Sequence, residues 1–173
     1  DMVGREMGSY YPKIELTPGD EILTVEELSQ AGILYDIDLK VREGEIVGIA
    51  GLAGAGRTEL ALAISGYTKV NSGKVDVDGK DITNSPAQKV MEAGVVYVSE
   101  DRGKCGLVLD MSLNDNITLP QIKKLSKYLF VKRSKCRELS RSSIKQFGIK
   151  TPSEDFIVSN LSGGNQQKVS VAK

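Results

Sequence analysis

The sequence predicts an α/β fold, and three observations carry that reading. Two apolar, β-branched runs, "EIVGIAG" (45–51) and "VVYVS" (95–99), lack the alternation of a half-exposed strand and fit strands covered on both faces, as in a parallel sheet. The first run stops at a glycine cluster that leads straight into a helix-like stretch, "TELALAIS" (58–65). From Met111 to Phe147 the pattern turns mostly helical, with Lys and Arg on the outer faces.

Taken in order, residues 1–20 hold Gly4, Gly8, Pro12, Pro18 and Gly19 with little periodicity and read as a linker. "EILTVEELS" (21–29) is an opening strand. "YDIDLKV" (35–41) alternates, with Ile37, Leu39 and Val41 facing inward. "REGE" turns the chain into the first apolar run. Thr58–Ser65 is a helix stopped by Gly66. "GKVDVDGKDI" alternates around Asp78-Gly79, a hairpin signal. Ser85-Pro86 starts a helix, Ser as cap and Pro in the first turn, and Gly94 ends it. "TPSEDFIVSN" (151–160) is a loop, and "LSGGNQQKVSVAK" (161–173) closes on the first turns of a helix.

Composition narrows the function classes. Lys+Arg and Asp+Glu both number 23, so no net basic field argues for nucleic acid. The chain holds no histidine, which excludes His triads, His metal sites and His bases within it. Cys105 and Cys136 lack metal-site spacing and read as free thiols in a reducing compartment. No apolar stretch is long enough to span a bilayer. The polar start "DMVGREMGSYYPK" has no signal-peptide character, and the chain reads as an excised fragment.

"GIAGLAGAGRTELALAI" (48–64) matches the phosphate-loop pattern G-x-x-x-x-G-K-[ST] in every position but one: Arg57 stands where lysine belongs. Strand, glycine loop and helix is the context this motif requires. Glycines let successive N–H groups point into one concavity, and the helix adds its free N–H groups and dipole. Thr58 would place its hydroxyl on Mg²⁺ and Arg57 would reach the β- and γ-phosphates, but the guanidinium fork is wider than an ammonium. On this stretch alone, a glycine turn that packs a helix close to a sheet stays open. A dinucleotide loop fits worse, because Glu59 stands where the third glycine of G-x-G-x-x-G should be.

A second motif bears on the choice. In "LSGGNQQK" (161–168), Leu161, Ser162, Gly163, Gly164 and Gln167 match the signature of the ATP-binding-cassette ATPases. "MVGRE" (2–6), "GIAGLAGAGRTEL", "SEDR" (99–102) with "GLVL", and "LSGGNQQKV" together resemble the second cassette of two-cassette bacterial monosaccharide importers, over nearly the whole chain. The resemblance implies a P-loop NTPase fold with an antiparallel β subdomain and a helical subdomain. It implies an inter-cassette linker over 1–20, an ATP-binding core with the β subdomain over 21–110, a helical subdomain over 111–160, and the signature loop with its helix over 161–173. ATP and Mg²⁺ are the implied cofactors. Gly51, Gly54, Ala55, Gly56, Arg57, Thr58 and Glu59 would bind one nucleotide. Ser162, Gly163, Gly164 and Gln167 would complete a second site, whose phosphate loop belongs to the first cassette. The implied partners are that first cassette of the same polypeptide, membrane permease subunits and, indirectly, a periplasmic or extracellular sugar-binding protein. The implied place is the cytoplasmic face of the membrane, peripherally bound.

The chain also departs from the cassette pattern. Glu100 follows "VVYVS" where cassettes carry a glutamine; it reads equally as an Mg²⁺ ligand or as an exposed loop acid. Tyr35 is the one aromatic on offer for adenine stacking, and it lies close to the next strand. The chain stops before any Walker B strand, catalytic glutamate or switch histidine, so no catalytic residue is named and the isolated chain is expected to be inactive. The core sheet is expected to lack a strand between "EIVGIAG" and "VVYVS", which would let the fragment self-associate. Two functions follow: a transport ATPase module, or a regulatory cassette that binds nucleotide without hydrolysing it. A kinase or GTPase is disfavoured, since neither needs "LSGGNQQK" and no NKxD is present.

Overall fold

The computed structural model describes residues 17–128 and 130–173, so "MVGRE" and most of the linker reading lie outside the described residues. The chain divides into two compact units, one running to Tyr97 and the other from Val98.

The first unit is built on an antiparallel sheet in the order β2-β1-β3-β4. It comprises β1 (Glu21–Gln30), β2 (Leu34–Arg42), β3 (Ser72–Val77) and β4 (Lys80–Asp81), with helices α1 (Arg57–Ile64) and α2 (Ala87–Glu92). β1 is central and pairs Val25 with both Leu39 and Val75. The alternation in β2 holds: Ile37, Leu39 and Val41 are the half-buried positions between exposed neighbours. Asp78 and Gly79 take φ of 51° and 73°, the left-handed pair that a tight β3–β4 hairpin needs. Val25, Leu28, Val75 and Val77 pack with Leu60, Ile64 and Val90 into one core. Gly66 ends α1 at φ 74°, and a Cβ there would lie 2.4 Å from the Ser85 carbonyl oxygen. The second helix starts one residue later than predicted: Pro86 is its N-cap and Ser85 does not cap it.

The two apolar runs that announced a parallel sheet are not strands among the described residues. Residues 45–50 and 95–99 carry no ladder, and Ile46 is 92% exposed and Val96 68%. A β-branched run becomes a strand when a neighbour supplies N–H and C=O groups in register. Here the sheet is completed by β2, β1, β3 and β4.

The second unit is mostly helical. A π-helical turn (Arg102–Gly106) precedes α3 (Leu113–Thr118), α4 (Ile122–Leu125), α5 (Arg133–Gln146) and α6 (Gly163–Ala172). Between α4 and α5 the helical tract is broken by a hairpin that the periodicity did not indicate, β5 (Ser126–Lys127) with β6 (Phe130–Val131). Ser112 caps α3 by accepting from the Asp115 amide at 3.0 Å. Leu107, Leu113, Ile117, Val158, Leu161 and Val169 form this unit's core. Asn116 is buried there with its amide satisfied: it accepts from Val108 N–H and donates to the carbonyls of Val108 and Ser112.

Candidate nucleotide site

The glycine loop stands at the head of α1 in the first unit. Gly54 and Gly56 take φ of 81° and 80°, so both occupy the left-handed region where a side chain is strained. Gly56 is the N-cap of α1, and no side chain caps the helix. The first-turn N–H groups of a helix have no intrahelical partner, so an uncapped start leaves donors for an anion. Gly56 is also packed: a Cβ would lie 3.2 Å from Leu34 Cδ2 and 3.3 Å from the Ile33 carbonyl oxygen. This contact seats the loop against the turn between β1 and β2. Tyr35, two residues past Ile33, is exposed.

Arg57 bends back over its own loop and donates from Nη2 to the Leu52 carbonyl at 3.3 Å. Ala55 N–H donates to the same carbonyl at 3.1 Å. Gly51 lies under this arc, its would-be Cβ 3.1 Å from Ala55 Cβ and 3.7 Å from Arg57 Cδ. Thr58 and Glu59 are half-buried in the first turn of α1. Gly51, Gly54, Ala55, Gly56, Arg57, Thr58 and Glu59 therefore form one continuous loop and helix start.

The second motif is at the head of α6, in the second unit. Ser162 is the N-cap with φ −62° and ψ 153°, and its hydroxyl does not cap the backbone. Instead Ser162 Oγ accepts from Asn165 Nδ2 at 3.1 Å. Ser162, Gly163 and Gly164 are exposed, and a Cβ at Gly164 would meet nothing within 4 Å. The loop thus presents a hydroxyl and the first N–H groups of a ten-residue helix to solvent. Gln167 is half-buried and makes no side-chain hydrogen bond among the described residues.

Gln166, which the motif comparison passed over, is the residue that holds this loop. Its Nε2 donates to the carbonyls of Val158 at 3.1 Å and Leu161 at 3.2 Å, and reaches Ser159 at 3.5 Å. Its Oε1 accepts from Arg102 Nε at 3.2 Å. Arg102 continues over the loop, one Nη 2.9 Å from where a Gly163 Cβ would stand. "SEDR" therefore has a structural partner in the signature helix. Glu100, Asp101, Arg102, Gly103 and Gln166 line an open cavity of about 570 Å³. Glu100 is exposed at its edge. The Lys104 amide's hydrogen bond, aided by the Lys104 ammonium, holds the Asp101 carboxyl below its ordinary range. Spacing could not reveal the Arg102–Gln166 pair, since nothing periodic links residues so far apart in the chain. Among the described residues no three His, Cys, Asp or Glu side chains gather into a metal cage. A Mg²⁺ ion would need phosphate oxygens and water beside Thr58 or Glu100, which is how that ion is usually held.

Comparison with known proteins agrees with the two motifs. The family model described as ABC transporter matches residues 34–173. A ribose/galactose/methyl galactoside import ATP-binding protein of Rhizobium etli is 44% identical over 99% of this chain, which covers 33% of that protein. A ribose import ATP-binding protein of Oceanobacillus iheyensis is 43% identical over 99% of this chain and 35% of its own length. The chain spans about a third of the length of the curated relatives it matches. Among solved structures, a dimeric ATP-binding cassette in a post-hydrolysis state bound to ADP and Pi superposes with a TM-score of 0.72 at 21% identity, covering 87% of this chain and 68% of that one. A second ATP-binding cassette of an ABC transporter gives 0.71 at 22% identity, covering 88% and 64%. These two likenesses establish the fold as that of the cassette ATPases, a P-loop α/β architecture. On the match of its family model and on its curated relatives, this chain belongs to the ABC transporter ATP-binding family.

Proposed function

We propose that the chain is a nucleotide-binding domain of an ATP-driven sugar importer, coupling ATP binding and hydrolysis to a membrane permease. The observation that carries the reading is a pair of glycine-edged helix starts that no side chain caps, at Gly56 and at Ser162–Gly164, the second of them exposed. The relatives' names, ribose or galactose import ATP-binding proteins, support the solute class. Gly51, Gly54, Ala55 and Gly56 would cradle phosphates by backbone N–H, with Glu59 in the first turn behind them. Thr58 would contact Mg²⁺ in the first unit; in the second, Glu100 would offer a carboxylate to Mg²⁺ or its waters. Ser162, Gly163 and Gly164 would meet the γ-phosphate of a nucleotide held by the first cassette of the same polypeptide, with Gln167 in the following turn. Permease subunits, and through them a sugar-binding protein outside the membrane, complete the assembly. Among the described residues no helix is long and apolar enough to cross a membrane. The relatives' role as import ATP-binding proteins supports a peripheral place on the cytoplasmic face of the membrane.

A second reading, a regulatory cassette that binds nucleotide without turning it over, is favoured by Arg57. Its guanidinium spends a donor on the Leu52 carbonyl, and its fork does not nest as an ammonium does. Hydrolysis would then fall to the site built on the first cassette's phosphate loop and completed by Ser162–Gly164. Single-site turnover in the intact transporter separates the two readings. Calorimetry of this chain with Mg-ATP tests the loop itself. The expected dissociation constant is about 0.1 mM or weaker, about −5.5 kcal/mol. Low-micromolar affinity overturns the degenerate-loop reading, and no heat at millimolar nucleotide overturns phosphate binding by the loop. The exposed run at 45–50, with no strand ladder there or at 95–99, supports self-association of this chain, and a strictly monomeric light-scattering result at high concentration refutes it.

A further inference from the structure

The β5–β6 hairpin serves neither nucleotide motif nor the core. Ser126 pairs with Val131 and Lys127 with Phe130. Two rings on the hairpin are exposed to solvent: Tyr128 is 89% exposed and Phe130 80%. Tyr128 holds its position at φ 57°, a left-handed conformation that a non-glycine residue adopts only under local constraint. Flanking these rings in the chain are Lys124, Lys127, Lys132, Arg133 and Lys135, all exposed, with no carboxylate between residues 124 and 135. The Lys127 ammonium lies 5.7 Å from the centre of the Tyr128 ring. Of the carboxylates that share a cavity with Val131 and Arg133, Asp155 is paired with Arg137, and Asp115 accepts from the Ser112 hydroxyl. The whole chain is charge-neutral, so this is a local concentration of one sign.

Exposed aromatic rings on a hairpin, flanked in the chain by long exposed cationic side chains, match the chemistry of an anionic bilayer surface. Rings settle at headgroup level while lysine stems lie along apolar surface and carry their charges to phosphate. An unbroken run of cations with no carboxylate among them suits a surface of repeated phosphates. We propose that the β5–β6 hairpin docks on an anionic lipid surface, with Tyr128 and Phe130 entering the interfacial layer and the flanking cations on headgroup phosphates. This docking is independent of whether the chain binds or hydrolyses nucleotide.

The test is cosedimentation of the 173-residue chain with vesicles of equal parts phosphatidylglycerol and phosphatidylcholine, against phosphatidylcholine alone. Binding to the anionic vesicles should be at least about tenfold stronger and should weaken as salt rises. Each cation near such a surface accounts for about fivefold in partitioning, so Lys124→Gln with Lys127→Gln should lose at least about tenfold. Tyr128→Ser with Phe130→Ser should also release the chain. The protein has no Trp, so Phe130→Trp supplies a single indole whose emission should shift to the blue with anionic vesicles only. Equal binding to both vesicle types, indifference to the lysine pair, or an unshifted indole overturns the proposal. So does capture by polyglutamate or RNA with the vesicles ignored. Circular dichroism checks that each variant folds; should one fail, the salt series on the parent and the Phe130→Trp shift still decide.

Discussion

Replacing Gly164 with Asp separates what the signature loop does for the fold from what it does for nucleotide. Gly164 is the second residue of α6 after the Ser162 cap, and a Cβ there meets nothing within 4 Å. The new side chain therefore displaces no neighbour. Exchanging glycine for aspartate inside a helix recovers about 0.3 kcal/mol of propensity. The first turn of α6 holds no acidic residue, so a carboxylate there meets the positive end of the dipole unopposed. That adds about 0.3–1 kcal/mol, and the chain should gain about 1 kcal/mol in total. The proposed site has the opposite sign. A carboxylate would stand where N–H groups meet the γ-phosphate, and losing such a donor set costs on the order of 3 kcal/mol, about a hundredfold in rate. Gly163 is a poorer probe, because its Cβ would press on the Arg102 guanidinium. Urea denaturation of the chain followed by circular dichroism reads the first effect. Steady-state ATPase of the intact transporter in vesicles reads the second. A chain destabilised by more than about 1 kcal/mol would show that the glycine is there for packing. Turnover kept within about threefold of the parent would refute the role of this loop at the γ-phosphate.

Three further outcomes are expected. Gln166→Met keeps the volume but strips the carbonyls of Val158, Ser159 and Leu161 and the Arg102 guanidinium of their partner, so unfolding free energy should fall by about 2–3 kcal/mol; a loss under about 0.5 kcal/mol would show that water replaces Gln166 freely. Gly66→Ala meets both a left-handed φ and a carbonyl oxygen at 2.4 Å, whereas Gly54→Ala meets only a left-handed φ. The first should cost about 3 kcal/mol or more and the second about 1 kcal/mol in thermal or urea unfolding, and equal losses would contradict the steric account. Glu154 accepts from Arg141 at 2.7 Å, and that guanidinium's hydrogen bond holds its carboxyl below the ordinary glutamate range. A lowered carboxyl stabilises the fold above its unfolded-state value and stops doing so as pH falls through the folded one. Glu154→Gln should therefore flatten the stability–pH curve below about pH 4.3 and leave its neutral-pH slope unchanged; an unchanged acid limb in urea titrations would contradict this.

What could be read from the sequence is what local chemistry dictates. The alternation of β2, the Asp78-Gly79 hairpin and the Gly66 stop each rest on a period or a backbone angle set by a few neighbouring residues. The two glycine motifs belong here too, because uncapped helix starts edged by glycine are spelled out within a few positions. Other features waited for the tertiary structure. The runs at 45–50 and 95–99 have strand composition but no ladder, because a strand's hydrogen bonds belong to its neighbour. The hairpin inside the lysine-rich tract had no glycine or asparagine to announce it, since Tyr128 takes the left-handed angle that those residues usually supply. Only packing chose Gln166 over Gln167 as the residue that ties the signature loop to Arg102. The two glutamines are chemically identical, and the roughly 100° of helix rotation between neighbours aims one at the carbonyls of residues 158–161 and not the other.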